Sequence, residues 1–438
     1  MAAFQTLTGF RDLLPPDTDR WRSLLGRFAE HAGRAGFGEV VPPMMEDLAV
    51  FLRIGDSTDV VTKEMYDFVD KDGSRIALRP EFTASLARIF VQRRPPVLPW
   101  KVWSWGPVFR HEKPQAGRFR QFMQFDAECI GSNDPDVDVE IIALANDFFL
   151  DLGLQQFTIR LNSLGDEGTR VPYLEALHTY FSSRASDLSA QSRSTLEKNP
   201  LRLLDSKREQ DQPVIAEAPR IADFLGGEVR EHFECVQAGL HAVGIAFVID
   251  PRLVRGLDYY THTLFEFAAT SLDSAQNAIG GGGHYNNLVE QLGGPSTPGI
   301  GFGLGIDRIL MACDAEGVFA TPEVKPDVFI AGTGPLVSVL TARCRRAGIA
   351  VERAFDGRSM KAQGKMAGKS GAQFVVTVEE GAVWVKDFGV GGERAPVESA
   401  RVPGVMGAMG VVRDDYRGFA VDPEHLDGAI KFLQNQYR

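Results

Sequence analysis

Cysteine is scarce in this chain: four thiols, Cys129, Cys235, Cys313 and Cys344, stand far apart in 438 residues, and no pair has CxxC spacing. That excludes a zinc ribbon or a dithiol redox motif and makes a disulfide framework implausible, so buried, reduced thiols and no metal-ligating set are expected. Long apolar runs are missing too. No stretch approaches the roughly 18 residues of a membrane helix. The N-terminal MAAFQTLTGFRDLLPP has no basic segment leading into an apolar one, so a secretory signal is not expected. A cytoplasmic protein without a membrane partner is the resulting expectation. Positive charge is not in surplus: the net charge of -11 argues against indiscriminate coating of nucleic acid, although a local basic patch can still bind RNA. Nucleotide loops are absent as well. Gly364 and Gly368 are separated by three residues, one fewer than a Walker A loop requires. Gly299, Gly301, Gly303 and Gly305 alternate with apolar residues, which is strand sequence permitting close backbone approach, not a GxGxxG turn. A nucleotide, if bound, must be held by side chains on a sheet.

The length exceeds one ordinary core, so two or three domains are expected. Residues 19–35 read as an amphipathic helix, with Trp21, Leu24, Leu25, Phe28 and Ala32 at helical spacing. Such a helix packs on its own core or on a second subunit; the sequence favours the first. Gly36 and Gly38 end it, and a short strand closes at Pro42 and Pro43. Strand-like runs follow at 65–70, 74–80, 101–110 and 120–131, with a helix over 82–92. Short polar turns join them, which predicts an antiparallel sheet. A helix over 134–152 opens on an acidic stretch suited to capping, and a strand over 155–163 comes next. Residues 169–234 are charged, helical and poor in aromatics, an inserted helical module. Strands resume over 245–269, 277–294 and 297–313, and 316–325 is a candidate linker. From 327 the rhythm is strand, helix, strand, helix, strand, an α/β domain with a mostly parallel sheet. A last helix is expected from Pro423, and 396–422 receives no assignment. The fold class is thus an α+β core with an antiparallel sheet over 1–322, followed by an α/β domain over 327–438.

Chemistry concentrates between Val108 and Glu128. Two strands flank a loop rich in proline, glycine and arginine, and Arg110, Glu112, Arg118, Arg120, Gln124 and Glu128 are expected on one face. Guanidinium forks suit phosphate oxygens, and Phe122 is placed to stack on a base; the bland alternative is a solvated surface hairpin. Three further segments weigh against it. Glu81 and Thr83 sit where a strand becomes a helix, a plausible ammonium site. Arg255 precedes Tyr259 and Tyr260 after an apolar strand. Arg308 follows the glycine strand at a helix start.

In combination these segments resemble the class II aminoacyl-tRNA synthetases. The helix-strand-proline region ending at Pro42 and Pro43 matches their motif 1, FRHE…QFMQFDAE their motif 2, and GFGLGIDRIL their motif 3. Within the class, RGLDYYT, GGGGHYNNLVEQLGG, LRPEFTAS and the opening GFRDLLP resemble the histidyl-tRNA synthetase family. The resemblance covers nearly the whole chain. It implies ATP and Mg²⁺, L-histidine and tRNA(His) as partners, and a homodimer. It assigns catalysis to Arg110, Arg255 and Arg308, and ATP binding to Arg110, Glu112, Arg118, Phe122 and Arg308. Glu81, Phe82, Thr83 and Gln124 would hold the amino-acid backbone with Arg110 and Arg255, while Glu128 and Tyr260 would grip the imidazole in a pocket lined by Tyr259 and Tyr285. The trailing domain resembles an anticodon-binding domain.

Lys361, Lys365 and Lys369 fall on one helical stripe. Together with Arg343, Arg345 and Arg346 they read either as a solvated face or, given the resemblance, as a tRNA-binding strip; Gln115 in the arginine-rich loop joins the tRNA set. The chain departs from the family at His284 and Asn286, where the usual GGRYDGL has arginine and aspartate, so a possible ion pair is lost. A lone histidine such as His284 or His111 is more often structural than catalytic. Two alternatives accompany the ligase: a histidine-sensing regulatory subunit of ATP phosphoribosyltransferase, and a paralogue that activates histidine without charging tRNA.

Overall fold

The structure is a computed structural model that describes residues 4–53, 60–273, 277–379, 382–387 and 418–421, and Ile430. The helix expected from Pro423 and most of 396–422 lie outside the described residues. The chain divides into two compact units, Met1–Pro322 and Glu323–Arg438.

In the first unit, helix α1 (Asp17–Arg34) leads into β1 (Gly38–Glu39), β2 (Met45–Asp47), α2 (Leu48–Leu52), β3 (Asp67–Val69) and β4 (Arg75–Leu78). Then come α3 (Thr83–Arg93), the long hairpin β5 (Trp100–Phe109) and β6 (Gln121–Ile130), α4 (Pro135–Asp151) and β7 (Phe157–Ser163). The helical segment holds α5 (Glu167–Ser182), α6 (Ala190–Leu196), α7 (Gln212–Ala216) and α8 (Gly227–Ala242). The unit closes with β8 (Val248–Ile249), β9 (Thr261–Ala269), β10 (Ala278–Tyr285), α9 (Leu288–Gln291), β11 (Gly299–Gly305) and α10 (Ile306–Glu316). Among the described residues, one sheet has the strand order β1-β5-β6-β11-β10-β9-β7-β8, antiparallel except at its two edge pairs, and β2, β4 and β3 form a small sheet of their own.

Period-two alternation decides what each face of the large sheet does. Phe125, Ala127 and Cys129 of β6 enter the main core with Phe265, Phe267, Ile300 and Phe302. Helices α1, α4, α8 and α10 cover that face. Leu24, Phe28 and Ala32, four apart on α1, are all fully buried, so this helix packs on its own core. Phe28 stacks on Phe125 at 4.3 Å and meets Phe148 edge-on at 5.1 Å. Each such ring contributes on the order of 2–3 kcal/mol by burial. Asp134 caps α4 by accepting the Asp136 N–H at 3.0 Å, with Pro135 in the first turn. The other face is covered only in part, by α3, α9 and α5 to α7 through a second cluster that includes Tyr173, Leu177, Tyr285 and Leu288.

Two expectations need adjustment here. The helical segment starts before 169 and ends after 234, because Glu167 opens α5 and α8 continues to Ala242, placing Val236 and Leu240 in the main core. The apolar run over 245–269 is not one strand: β8 is two residues long, and the chain is irregular up to Tyr260.

The second unit contains β12 (Val328–Gly332), α11 (Pro335–Arg346), β13 (Val351–Arg353), α12 (Met360–Ser370), β14 (Phe374–Glu379), β15 (Ala382–Asp387) and β16 (Gly418–Val421). The order is β13-β12-β14-β15-β16, with β12 parallel to β13 and β14 and the remaining pairs antiparallel. The sheet is therefore mixed instead of mostly parallel. The sequence resembling a P-loop is α12 itself. Ser359 caps this helix, and buried Gln363 accepts the Gly332 N–H at 2.7 Å.

Candidate active site

The partly covered face of the large sheet holds a cleft of about 1000 Å³. Side chains on one face of β6 recur every second residue, so Phe122, Gln124, Asp126 and Glu128 line up along it. At ~3.4 Å per residue the row spans about 20 Å, room for a nucleotide at one end and a small molecule at the other.

The hairpin end is cationic. Arg110 follows β5; its Nε donates to the Pro80 carbonyl at 2.9 Å, and its guanidinium lies 5.3 Å from the Phe122 ring centre. Arg118 pairs with Glu112 at 3.1 Å. Arg308, in the first turn of α10, donates to the Ala278 and Gly117 carbonyls at 2.9 and 3.3 Å. Burial and then the nearby Arg118 hold its guanidinium below the usual value, as expected where positive charge awaits an anion.

Further along β6 the sheet floor is glycine. Gly303 pairs with Asp126 and Gly281, and Gly301 pairs with Glu128 and Gly283. A Cβ on Gly303 would stand 2.0 Å from Gln124 Nε2, and one on Gly301 1.9 Å from Glu128 Oε2. The alternating glycines let these polar side chains lie flat on the sheet. Over Gly281 lies the Arg255 guanidinium, and over Gly283 the Tyr260 ring. Arg255 is tied to Glu266 at 2.8 Å; burial opposes its charge, but Glu266 prevails and raises its pKa.

The far end is a buried network. Both Glu81 oxygens accept backbone N–H groups of α3, from Thr83 at 2.7 Å and Ala84 at 2.8 Å. The Thr83 hydroxyl donates to Glu128 at 2.5 Å, and the Tyr285 hydroxyl donates to the other Glu128 oxygen at 2.9 Å. Burial pushes Glu128 up to about 8, against the pull of those two bonds, and also raises Glu81. An acceptor-rich pocket with phenols at its side suits a small molecule that brings both positive charge and N–H donors.

The family model for histidyl-tRNA synthetase matches residues 9–309. The chain belongs to the histidyl-tRNA synthetase family. A histidine–tRNA ligase of Geobacillus kaustophilus is 44% identical over 390 residues, which is 86% of this chain and 90% of the relative. One from Streptococcus equi subsp. equi is 45% identical over 381 residues, 85% of this chain and 89% of the relative. The apo S. aureus histidyl-tRNA synthetase superposes with a TM-score of 0.77 at 31% identity, covering 99% of this chain and 100% of that one. A structure described as an ATP phosphoribosyltransferase regulatory subunit/histidyl-tRNA synthetase from Bacillus halodurans C shares the fold at 20% identity and a TM-score of 0.60, over 86% of this chain and 98% of that one.

Of the side chains singled out from the sequence, Glu81, Thr83, Arg110, Glu112, Arg118, Phe122, Gln124, Arg255, Tyr259, Tyr260 and Arg308 line the cleft. Glu128 and Tyr285 lie just behind Thr83, fully buried, as a hydrogen-bonded base to the pocket. Phe82 does not line the cleft. Its ring is fully buried with Leu86, Val102 and Val108, capped by the Arg79 guanidinium at 4.1 Å. Arg120 also departs from the expected face: its stem covers Gly9 and its Nε donates to the Glu112 carbonyl at 3.2 Å, because the alternation of β6 starts only at Gln121. His284 points to the opposite face, among His232 and His262. His111 is exposed and edge-on to Tyr66.

The basic residues of the second unit do not make one strip. α11 packs through Val337, Leu340 and Cys344 on one side of the sheet and α12 through Ala367 on the other. Successive right-handed crossovers from β12 to β13 and back past it to β14 require this. Lys361, Lys365 and Lys369 are exposed on α12. Arg343 and Arg345 are exposed on α11, and Arg345 donates to the Val351 carbonyl at 2.8 Å. Gln115 is exposed at the hairpin tip, bridged to Arg118.

Of the acidic residues that strands place in the cleft, two were missed. Asp126 continues the period that exposes Gln124 and Glu128, and Glu266 is the acidic residue within the otherwise apolar end of β9. Strand alternation was the signal for both.

Proposed function

We propose that this chain is an ATP-dependent histidine–tRNA ligase. It joins L-histidine to ATP as histidyl-adenylate with release of pyrophosphate, then transfers the histidyl group to the 3′ end of tRNA(His). The observation that carries the reading is the order of chemistry along one strand: aromatic and arginines at the hairpin, amide and arginine in the middle, carboxylate and phenols at the far end.

In this assignment adenine stacks on Phe122 beside Glu112, and the phosphates run from Arg110 towards Arg118 and Arg308. Glu81, Thr83 and Gln124 receive the substrate ammonium, and Tyr260 meets the imidazole beside Tyr259. Glu128 and Tyr285, beneath Thr83, are the carboxylate and phenol that the ring nitrogens are assigned to once the substrate opens that base. The carboxylate attacks the α-phosphorus in line while the P–O bond to pyrophosphate breaks. Arg110 and Arg255 stabilise the charge that develops on the phosphoryl oxygens, so positioning and fixed cations do the catalysis. A pocket built from a buried carboxylate and phenols rejects apolar amino acids, because those groups would be left unpaired. Mg²⁺ is proposed to enter as part of the MgATP substrate, held largely by its phosphates. Docking of tRNA is assigned to Gln115 at the hairpin tip, the lysine row of α12, and Arg343 and Arg345.

Homodimerisation is part of the proposal. It is supported by apolar side chains left exposed around the small sheet: Val41 at 75%, Met45 at 51% and Val69 at 64%. No helix among the described residues is long and apolar enough to cross a membrane, and a tRNA substrate supports a cytoplasmic location.

The test is histidine-dependent exchange of pyrophosphate into ATP, followed by charging of tRNA(His). No exchange overturns the reading. Exchange without charging leaves a histidine-activating paralogue.

A further inference from the structure

Asp126 belongs to no role assigned so far, yet it stands between Gln124 and Glu128 on the cleft face of β6. It is 1% exposed. Its Oδ1 accepts the Gln124 Nε2–H at 3.0 Å, while its Oδ2 has no hydrogen-bond partner among the described residues. A buried carboxylate with an unsatisfied oxygen costs stability and calls for an explanation. Its one hydrogen-bond partner among the described residues is Gln124, two residues away on the same strand; from another segment the attractive charge it meets is that of the buried Arg79 guanidinium.

The chemistry of that single bond has a direction. A glutamine amide is nearly symmetrical in shape and can present either its oxygen or its NH₂ to a ligand. An ionised carboxylate only accepts, so it claims the NH₂ and turns Oε1 the other way. Space enforces the pairing: Gly303 leaves room for the amide, and a Cβ there would fall 2.0 Å from Nε2 and 3.3 Å from Asp126 Oδ1. An oxygen facing the cleft receives an ammonium, whereas an NH₂ in its place would repel one.

We propose that Asp126 is a positioning residue for the amino-acid substrate: it fixes the Gln124 amide with its oxygen towards the cleft, ready for the substrate's α-ammonium. This rests on reading the cleft as the histidine-activating site. The groups facing Asp126 fit a carboxylate whose charge state depends on the ligand. Burial, then Glu128 on its own strand and Glu81 before α3, push its carboxyl well up, while Gln124 and Arg79 pull it down. An arriving ammonium favours the ionised form, the form that orients the amide.

The experiment compares the histidine KM in pyrophosphate exchange for the unaltered protein and Asp126→Asn at pH 6 and pH 8. The substrate's own titration is common to both proteins and cancels in the ratio of the two KM values. The ratio is expected to reach about 10-fold at pH 8 and to be no larger at pH 6, because protonation of a raised carboxyl works against the orienting form, with the ATP KM changed less than about twofold. In a Gln124→Met background the same substitution is expected to change the histidine KM by less than about twofold, because the residue acts through the amide. A ratio near one at both pH values overturns the proposal. So does an equally large ratio in the Gln124→Met background, the mark of a merely structural defect. If Asp126→Asn does not fold, Asp126→Ser, also stripped of charge, is judged by the same ratios. No exchange in the unaltered protein overturns the reading of the cleft, whereas normal exchange with an unchanged ratio overturns the role of Asp126 alone.

Discussion

His284 offers a quantitative test of how the sheet is packed behind the cleft. The side chain is fully buried on β10, and neither ring nitrogen has a hydrogen-bond partner among the described residues. His232 of α8 and His262 of β9 lie 5.7 and 5.3 Å away, ring centre to ring centre, and the buried Asp138 of α4 pairs with His232 at 3.4 Å. Burial holds His284 down at about 4, only partly opposed by Asp138, and His262 is lowered too. Because the unfolded chain binds this proton near pH 6.5 and the folded chain only near 4, stability falls as pH drops through that window. The sign is that of a depressed base: nothing is lost above pH 6.5, and the full cost is reached below 4. At pH 5 the linkage amounts to about 2 kcal/mol, approaching about 3 kcal/mol at pH 4. Glu81, Asp126 and Glu128, raised by burial, respond in the opposite sense, so the bulk pH profile mixes both. The difference between the unaltered protein and His284→Phe removes the mixture. Urea unfolding followed by tryptophan fluorescence at pH 7.5 and pH 5.0 should show the unaltered protein losing about 2 kcal/mol more than the variant on acidification. Equal losses in the two proteins would mean that His284 does not titrate in this window and that its burial has been misjudged.

Two further outcomes concern the reaction. Arg255→Ala should lower the rate of adenylation by at least ~100-fold while leaving the melting temperature within a few degrees, because the guanidinium serves developing charge; near-normal pyrophosphate exchange would remove it from the phosphoryl site. Gly303→Ala should raise the histidine KM by roughly 10-fold or more and leave the ATP KM within about threefold, since the added methyl displaces the Gln124 amide and little else; equal losses for both substrates would show that the glycine floor serves the whole cleft.

What the sequence disclosed was local, and what it withheld was decided by register and crossover. The alternation along β6 is written in every second residue, so Gln124 and Glu128 were legible, and Asp126 was equally legible by the same period. The resemblance names its neighbours and not it. Glu81 was read as an ammonium ligand from its place before a helix, and the same place lets both its oxygens cap α3, a competing use that only the hydrogen bonds reveal. Phe82 adjoins two cleft residues in the chain, but at a strand-to-helix junction neighbours in sequence diverge in space, and its ring turned into the core. The lysine stripe of α12 follows from helical spacing alone. Its separation from the arginines of α11 follows from strand order, which no single segment encodes. The histidine cluster is the extreme case: Asp138, His232, His262 and His284 come from four elements, and only their packing makes them neighbours. The sequence showed His284 as the loss of an arginine. The structure shows that space filled by an imidazole that burial keeps from binding its proton, so the departure shifts a cost from charge pairing to desolvation.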